Sequence, residues 1–181
     1  MHEFTQIQAA LFSNYDERGF RSLVDKRIIL PSPATRNFGR GKLKTFMRDE
    51  VRVASLLRRL DVGLSVYQQA GITDWIRIRL ADVLWSARKE NPPYIILETD
   101  ISGDDWRGTF STARGDINGW GDSRRESADM KISIMIDGYN GIKRPMYRFV
   151  AVNVLEALWW DDDEVIHSFL TDPTSDAKAD E

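Results

Sequence analysis

Two prolines, Pro31 and Pro33, constrain this chain more than any other feature, because they end one kind of structure and start another. Ahead of them, Ser13 or Asn14 offers a helix start, Asp16 and Glu17 supply first-turn acids, and Phe20, Leu23, Val24 and Arg27 follow at helical spacing. A helix cannot run through Pro31, which lacks an N–H and clashes with the preceding turn. Beyond Pro33, five cations (Arg36, Arg40, Lys42, Lys44 and Arg48) alternate with glycines and small polar residues over thirteen positions, with no acid until Asp49. That composition reads as a short basic hairpin and suits a polyanion such as a phosphate backbone.

The order of elements around this segment carries a resemblance. Phe4 to Leu11 reads as a first helix, Asn14 to Leu30 as a second and residues 35 to 48 as a glycine-flanked basic wing; Asp49-Glu50-Val51 then opens a third helix that closes at Asp61-Val62-Gly63-Leu64-Ser65. With its Lys26-to-Pro31 helix end, its Gly39-Arg40-Gly41-Lys42 wing and its Leu56-to-Ser65 turn, the region from about residue 3 to 80 resembles the DNA-binding domain of the MerR family of transcriptional regulators. The resemblance implies a winged helix-turn-helix. Its second helix would present Tyr15, Arg18, Arg21 and Ser22 to the major groove, and its wing would grip backbone with Arg36, Asn37, Arg40, Lys42 and Lys44.

Charge is segregated along the chain. Residues 1 to 90 hold 16 Lys and Arg against 10 Asp and Glu, a net +6, whereas residues 91 to 181 hold 9 against 18, a net −9. A basic first half suits nucleic acid; an acidic second half should point away from it or face another partner. Ordinary solvated faces are the plainer alternative. With no cysteine, disulfides and thiolate metal sites are excluded, and only His2 and His167 offer imidazole. No apolar run approaches the length of a membrane span, and the N-terminus lacks the pattern of a signal peptide, so a cytoplasmic location is expected.

After the third helix, Thr73-Asp74 offers another start, with Ile76, Leu80, Val83, Leu84 and Ala87 at helical intervals up to Asn91-Pro92-Pro93. The double proline marks a domain boundary. Beyond it the pattern becomes that of strands: Tyr94 to Thr99 is a β-rich run, Lys131 to Ile136 alternates, and Met146 to Val152 follows an Asp137-to-Gly141 turn, the last two expected to pair as a hairpin. Residues 102 to 128 read as a loop or short strands, and 154 to 170 as helix interrupted near Asp161-Asp162-Asp163. The expected fold is α+β: residues 1–91 a winged helix with trailing helices, 92–170 a smaller α+β domain with a β-hairpin for dimerisation or sensing, and 171–181 a disordered tail.

Several groupings resemble catalytic or ligand chemistry. Asp100, Asp104, Asp105, Asp116 and Asp122 could hold a divalent cation for a nuclease, and Asp116-Ile117-Asn118-Gly119 opens like a calcium loop with Gly121 at its sixth position. Ser127 stands where that loop needs its glutamate, so a solvated turn is favoured. His167 lies near Asp163 and Glu164, but no nucleophile can be placed beside it. Trp75, Trp85, Trp106, Trp120, Trp159 and Trp160, with Tyr94, Tyr139 and Tyr147, either line a ligand pocket or pack a core or dimer, with packing favoured. The residues thus point to a non-enzymatic, cofactor-free, sequence-specific regulator that binds double-stranded DNA as a homodimer through its C-terminal domain. Room remains for a small-molecule effector. The alternative is a phage or mobile-element accessory protein, excisionase-like or a packaging factor.

Overall fold

The computed structural model describes residues 3–36, 43–61, 63–86, 93–100, 106–111, 129–134 and 147–171. Helix and antiparallel sheet are mixed, so the chain is α+β. The expected first helix divides into a strand, β1 (Glu3–Thr5), and a helix, α1 (Gln6–Phe12). Thr5 is the hinge: its hydroxyl accepts from the Gln8 N–H while the Gln8 side chain accepts from the Thr5 N–H, a reciprocal cap that starts the helix.

Asn14, with φ 58, turns the chain through the left-handed region, which asparagine tolerates better than most residues. Helix α2 (Glu17–Asp25) then starts behind Asp16, whose carboxylate accepts from the Gly19 N–H. This helix is shorter at both ends than the expected Asn14 to Leu30. At its start the Asp16 cap wins over Ser13 and Asn14; at its end the chain leaves the helix after Asp25, well before Pro31.

Strand β2 (Thr45–Met47) pairs antiparallel with β1, setting Phe4 opposite Phe46, both fully buried. The Ser32 N–H donates to the Thr45 carbonyl at 2.8 Å, and the Thr45 N–H donates to Thr35 Oγ1 at 3.1 Å. The two ends of the basic segment are therefore clamped together. Helix α3 (Arg48–Leu60) follows directly and buries Val51, Val53, Ala54, Leu56, Leu57 and Leu60. Helix α4 (Val66–Ser86) starts earlier than expected. Ser65 and Gln68 form its cap, each side chain accepting from the other's N–H, whereas Thr73 lies inside the helix and donates to the Gln69 and Ala70 carbonyls.

Arg77 of α4 and Glu50 of α3 form an ion pair, and Arg77 also donates to the Ile28 carbonyl while Glu50 accepts from the Leu30 N–H at 2.7 Å. Two helices thereby hold the backbone just after α2. Both groups are largely withdrawn from water, where such a pair is retained only if its remaining hydrogen bonds are satisfied.

The second half builds a four-stranded sheet from β3 (Tyr94–Asp100), β4 (Trp106–Ser111), β5 (Asp129–Ile134) and β6 (Tyr147–Asn153), in the order β4-β3-β6-β5, all antiparallel. The two strands expected to pair do so, with Ile132 opposite Phe149. Ile95, Leu97, Val150 and Val152 turn one face inward, and Ile96 and Ala151 form a small separate cluster with Tyr94. Trp75 of α4 and Trp106 of β4 meet edge to face at 6.1 Å, and each lies over a glycine of the other's element: Trp106 over Gly71, Trp75 over Gly108. A Cβ on Gly108 would come within 2.9 Å of the Trp75 ring, so only glycine lets helix and strand approach this closely.

Helices α5 (Val154–Ala157) and α6 (Asp163–Thr171) flank the expected interruption. Between them Trp160 is fully buried against Phe4 and Phe12, and its indole N–H donates to Ser55 Oγ at 3.0 Å. Asp161 accepts from both Arg48 Nε (2.7 Å) and Arg52 Nε (2.8 Å). Buried residues from Phe4 to Val83 and from Ile95 to Ile166 belong to one hydrophobic cluster. No helix among the described residues is long and apolar enough to cross a membrane.

Candidate nucleic-acid interface

The cations of the first half divide into two sets. On α3 and α4, Arg48 and Arg52 are held by Asp161, Arg77 by Glu50 and Arg79 by Asp82. Arg58 donates to the Asn14 carbonyl and stacks 5.3 Å from the Tyr15 ring centroid. At Arg18 of α2, in the turn after that helix and at the base of the basic segment the pattern reverses. Among the described residues, Arg18, Lys26, Arg27, Arg36 and Lys44 have no acidic partner, and all but half-buried Lys44 are exposed.

Three of these unpaired cations share one cleft. Arg27, Arg36 and Lys44 line a depression of about 530 Å³ together with Val24, Asp25, Leu30 and Pro31. Its walls are the end of α2 on one side and the clamped ends of the basic segment on the other. Three cations facing one carboxylate give it a positive field, and low-dielectric walls concentrate such a field.

The structure treats the expected contact residues unequally. Arg18 is exposed on the first turn of α2. Arg21 is exposed but pairs with Glu17 one turn back at 2.7 Å, with both side chains half in water, where such a pair contributes little. Ser22 is half-buried on the same helix. Tyr15 corrects the expectation: it precedes α2 and so shares no helical face with Arg18 and Ser22. Its ring packs against Phe20 at 6.4 Å, and its hydroxyl is buried with no hydrogen-bond partner among the described residues. Burial pushes the Tyr15 pKa up, Asp61 adds to the shift and Arg58 opposes it, so the phenol stays neutral. Arg36 and Lys44 sit at the mouth of the segment, while Asn37, Arg40 and Lys42 lie outside the described residues.

Sequence reasoning missed Lys26 and Arg27, because Arg27 falls at helical spacing after Phe20 and Val24 and reads as one more position of the helix. The cue was the run Lys26-Arg27 just ahead of Ile28-Ile29, where a helix end would place both cations at the surface. His167 stands exposed on α6. Of the acids grouped as a cation site, Asp104, Asp105, Asp116 and Asp122 lie outside the described residues. Trp160 is core, and Trp75 and Trp106 pack against each other.

No family model matches the chain, and no curated protein matches it.

Proposed function

We propose that this chain is a cytoplasmic, sequence-specific regulator of transcription that binds double-stranded DNA through a MerR-like winged helix and works as a homodimer through its C-terminal half. Helix α2 enters the major groove, and the basic segment at 35 to 48 grips backbone as the wing. One observation carries the reading: Arg18, Lys26, Arg27, Arg36 and Lys44, unpaired among the described residues, collect on α2, the turn that ends it and the ends of that segment, while the arginines Arg48, Arg52 and Arg77 of α3 and α4 are neutralised. A surface that keeps its cations unpaired is ready to displace counterions from phosphates.

Two further features support it. Arg18 lies on the first turn of α2, and the first residues of a recognition helix are those that reach base edges. The basic segment leaves and rejoins the fold through the Thr35–Thr45 hydrogen bonds and the β1–β2 pair, so its two ends have a rigid base. The chemistry required is binding alone, and the C-terminal acids Asp161 and Asp163, which engage Arg48, tie the second half to the first.

The test is the affinity of the full chain for a random-sequence duplex between about 50 and 200 mM salt, followed by selection of preferred sites. One phosphate contact per unpaired cation gives a slope of log K on log salt of up to about −4.5, and a selected site should bind about 10³-fold or more tighter than random DNA. Binding that ignores salt, or no binding at low salt, would overturn the reading.

A further inference from the structure

The end of α2 is built in a form that normally calls for glycine. Lys26 is its C-cap; the Arg27 N–H then donates to the Val24 carbonyl at 3.0 Å and the Ile28 N–H to the Leu23 carbonyl at 2.9 Å. These two bonds are the pair that closes a helix when the residue after the cap turns left-handed. Arg27 makes that turn, with φ 59. A Cβ in this region crowds the following carbonyl, and glycine avoids the penalty. Asparagine relieves it in part. Arginine does neither.

A strained position that the surrounding hydrogen bonds hold in place is a reason to ask what its side chain does. Arg27 is exposed and has no ion pair among the described residues, and it lines the cleft it shares with Arg36 and Lys44. The left-handed turn is what sets this side chain beside cations of a segment nine and more residues further on. Asp25, two residues back, lines the same cleft and limits how strongly it attracts an anion.

We propose that Arg27, Arg36 and Lys44 form a seat for one backbone phosphate of duplex DNA, and that arginine stands at the left-handed end of α2 for that contact, at the expense of stability. The inference rests on the DNA-binding reading and adds to it a specific phosphate site outside the groove-facing turn of α2. A guanidinium can meet two phosphate oxygens with parallel N–H bonds, and with the wing base on the other side the phosphate would fix how deep α2 lies in the groove.

The test uses the full chain, a random-sequence duplex as probe, and two variants. Arg27→Gly should raise the unfolding midpoint by about 1–4 °C, since relief of the strain outweighs the added freedom of the unfolded glycine. It should also flatten the salt slope by about 0.9 and weaken binding several-fold. Arg27→Asn, which suits the same backbone region, should lose as much affinity, which separates loss of the charge from loss of backbone rigidity. Gained stability with lost affinity establishes the trade. If wild type binds with a steep salt slope and both variants keep it, the phosphate seat is wrong and the DNA reading stands. If wild type does not bind the duplex, both fall together.

Discussion

Arg48, Arg52 and Arg77 carry the same group as Arg18, Arg27 and Arg36, yet the first three are turned into the fold and the second three away from it. The inward set sits on α3 and α4, where each guanidinium meets a carboxylate with little access to water. The outward set sits on α2, the turn after it and the mouth of the basic segment, where no ion pair among the described residues neutralises it. A count of charges in the first half, net +6, lumps the two together. What separates them is distance along the chain to the acid: Glu50 is 27 residues from Arg77, and Asp161 is 113 from Arg48. Only the folded chain brings them close, and only the residue that remains unpaired after folding can serve a partner.

The largest effect should come from breaking the inward set. Glu50→Ala leaves Arg77 with only the exposed carboxylate of Asp74 and the Leu30 N–H without its acceptor. Removing one member of a withdrawn ion pair costs about 3–5 kcal/mol, which denaturant unfolding would read as a large fall in midpoint. A substitution in the outward set, such as Arg36→Ala, should stay within about 0.5 kcal/mol. If Glu50→Ala proves as mild as Arg36→Ala, the two sets do not differ in the way their surroundings imply.

The same contrast explains what could be read from the residues alone. Stretches with a clear pattern were legible: α3 from its apolar stripe, β3 from its β-rich run, β5 from its alternation, β6 from the run that follows a turn, the break at Asp161 to Asp163 from its run of acids. β1 was not, because three residues are too few to show alternation, and only pairing with β2 defines it. The start of α4 was masked because that helix is apolar on more than one side: Ile72, Ile76, Leu80 and Val83 are buried while Tyr67, Ile78 and Trp85 are exposed. Its Ser65-to-Gln68 capping box was in plain view. On the candidate surface Arg18, Arg36 and Lys44 were found by type and place, whereas Arg27 was absorbed into a helical stripe that in fact ends before it. The boundary expected at Asn91-Pro92-Pro93 marks a change of secondary structure, yet Trp160 from beyond it packs on Phe4 and Phe12.

Within the outward set, Arg18 sharpens the comparison further. It should act on bases where the cleft residues act on phosphate, so Arg18→Ala should lower affinity for a selected site by about 1–3 kcal/mol, or roughly 5- to 150-fold, and affinity for random DNA far less. Stability should hardly change, since Arg18 is exposed and has no ion pair among the described residues. Both affinities measured at one salt concentration decide it. Equal losses on the two DNAs would demote Arg18 to a phosphate contact and shift base reading to Arg21 or Ser22.

The smallest effect tests which set Tyr15 belongs to. Its type and its closeness to Arg18 place it with the outward residues, but its hydroxyl is buried with no partner and its ring lies between Phe20 and Arg58. A buried hydroxyl that makes no hydrogen bond carries a desolvation penalty without return, and burial holds the phenol in its neutral form. Tyr15→Phe keeps the ring, its edge contact with Phe20 and an aromatic face for Arg58, and removes only the oxygen. Stability should therefore rise by about 1 kcal/mol, seen as an unfolding midpoint about 2–4 °C higher, with affinity unchanged on both selected and random DNA. A drop confined to the selected site, with no gain in stability, would mean that the hydroxyl turns outward to a base edge on binding, and that Tyr15 moves from one set to the other.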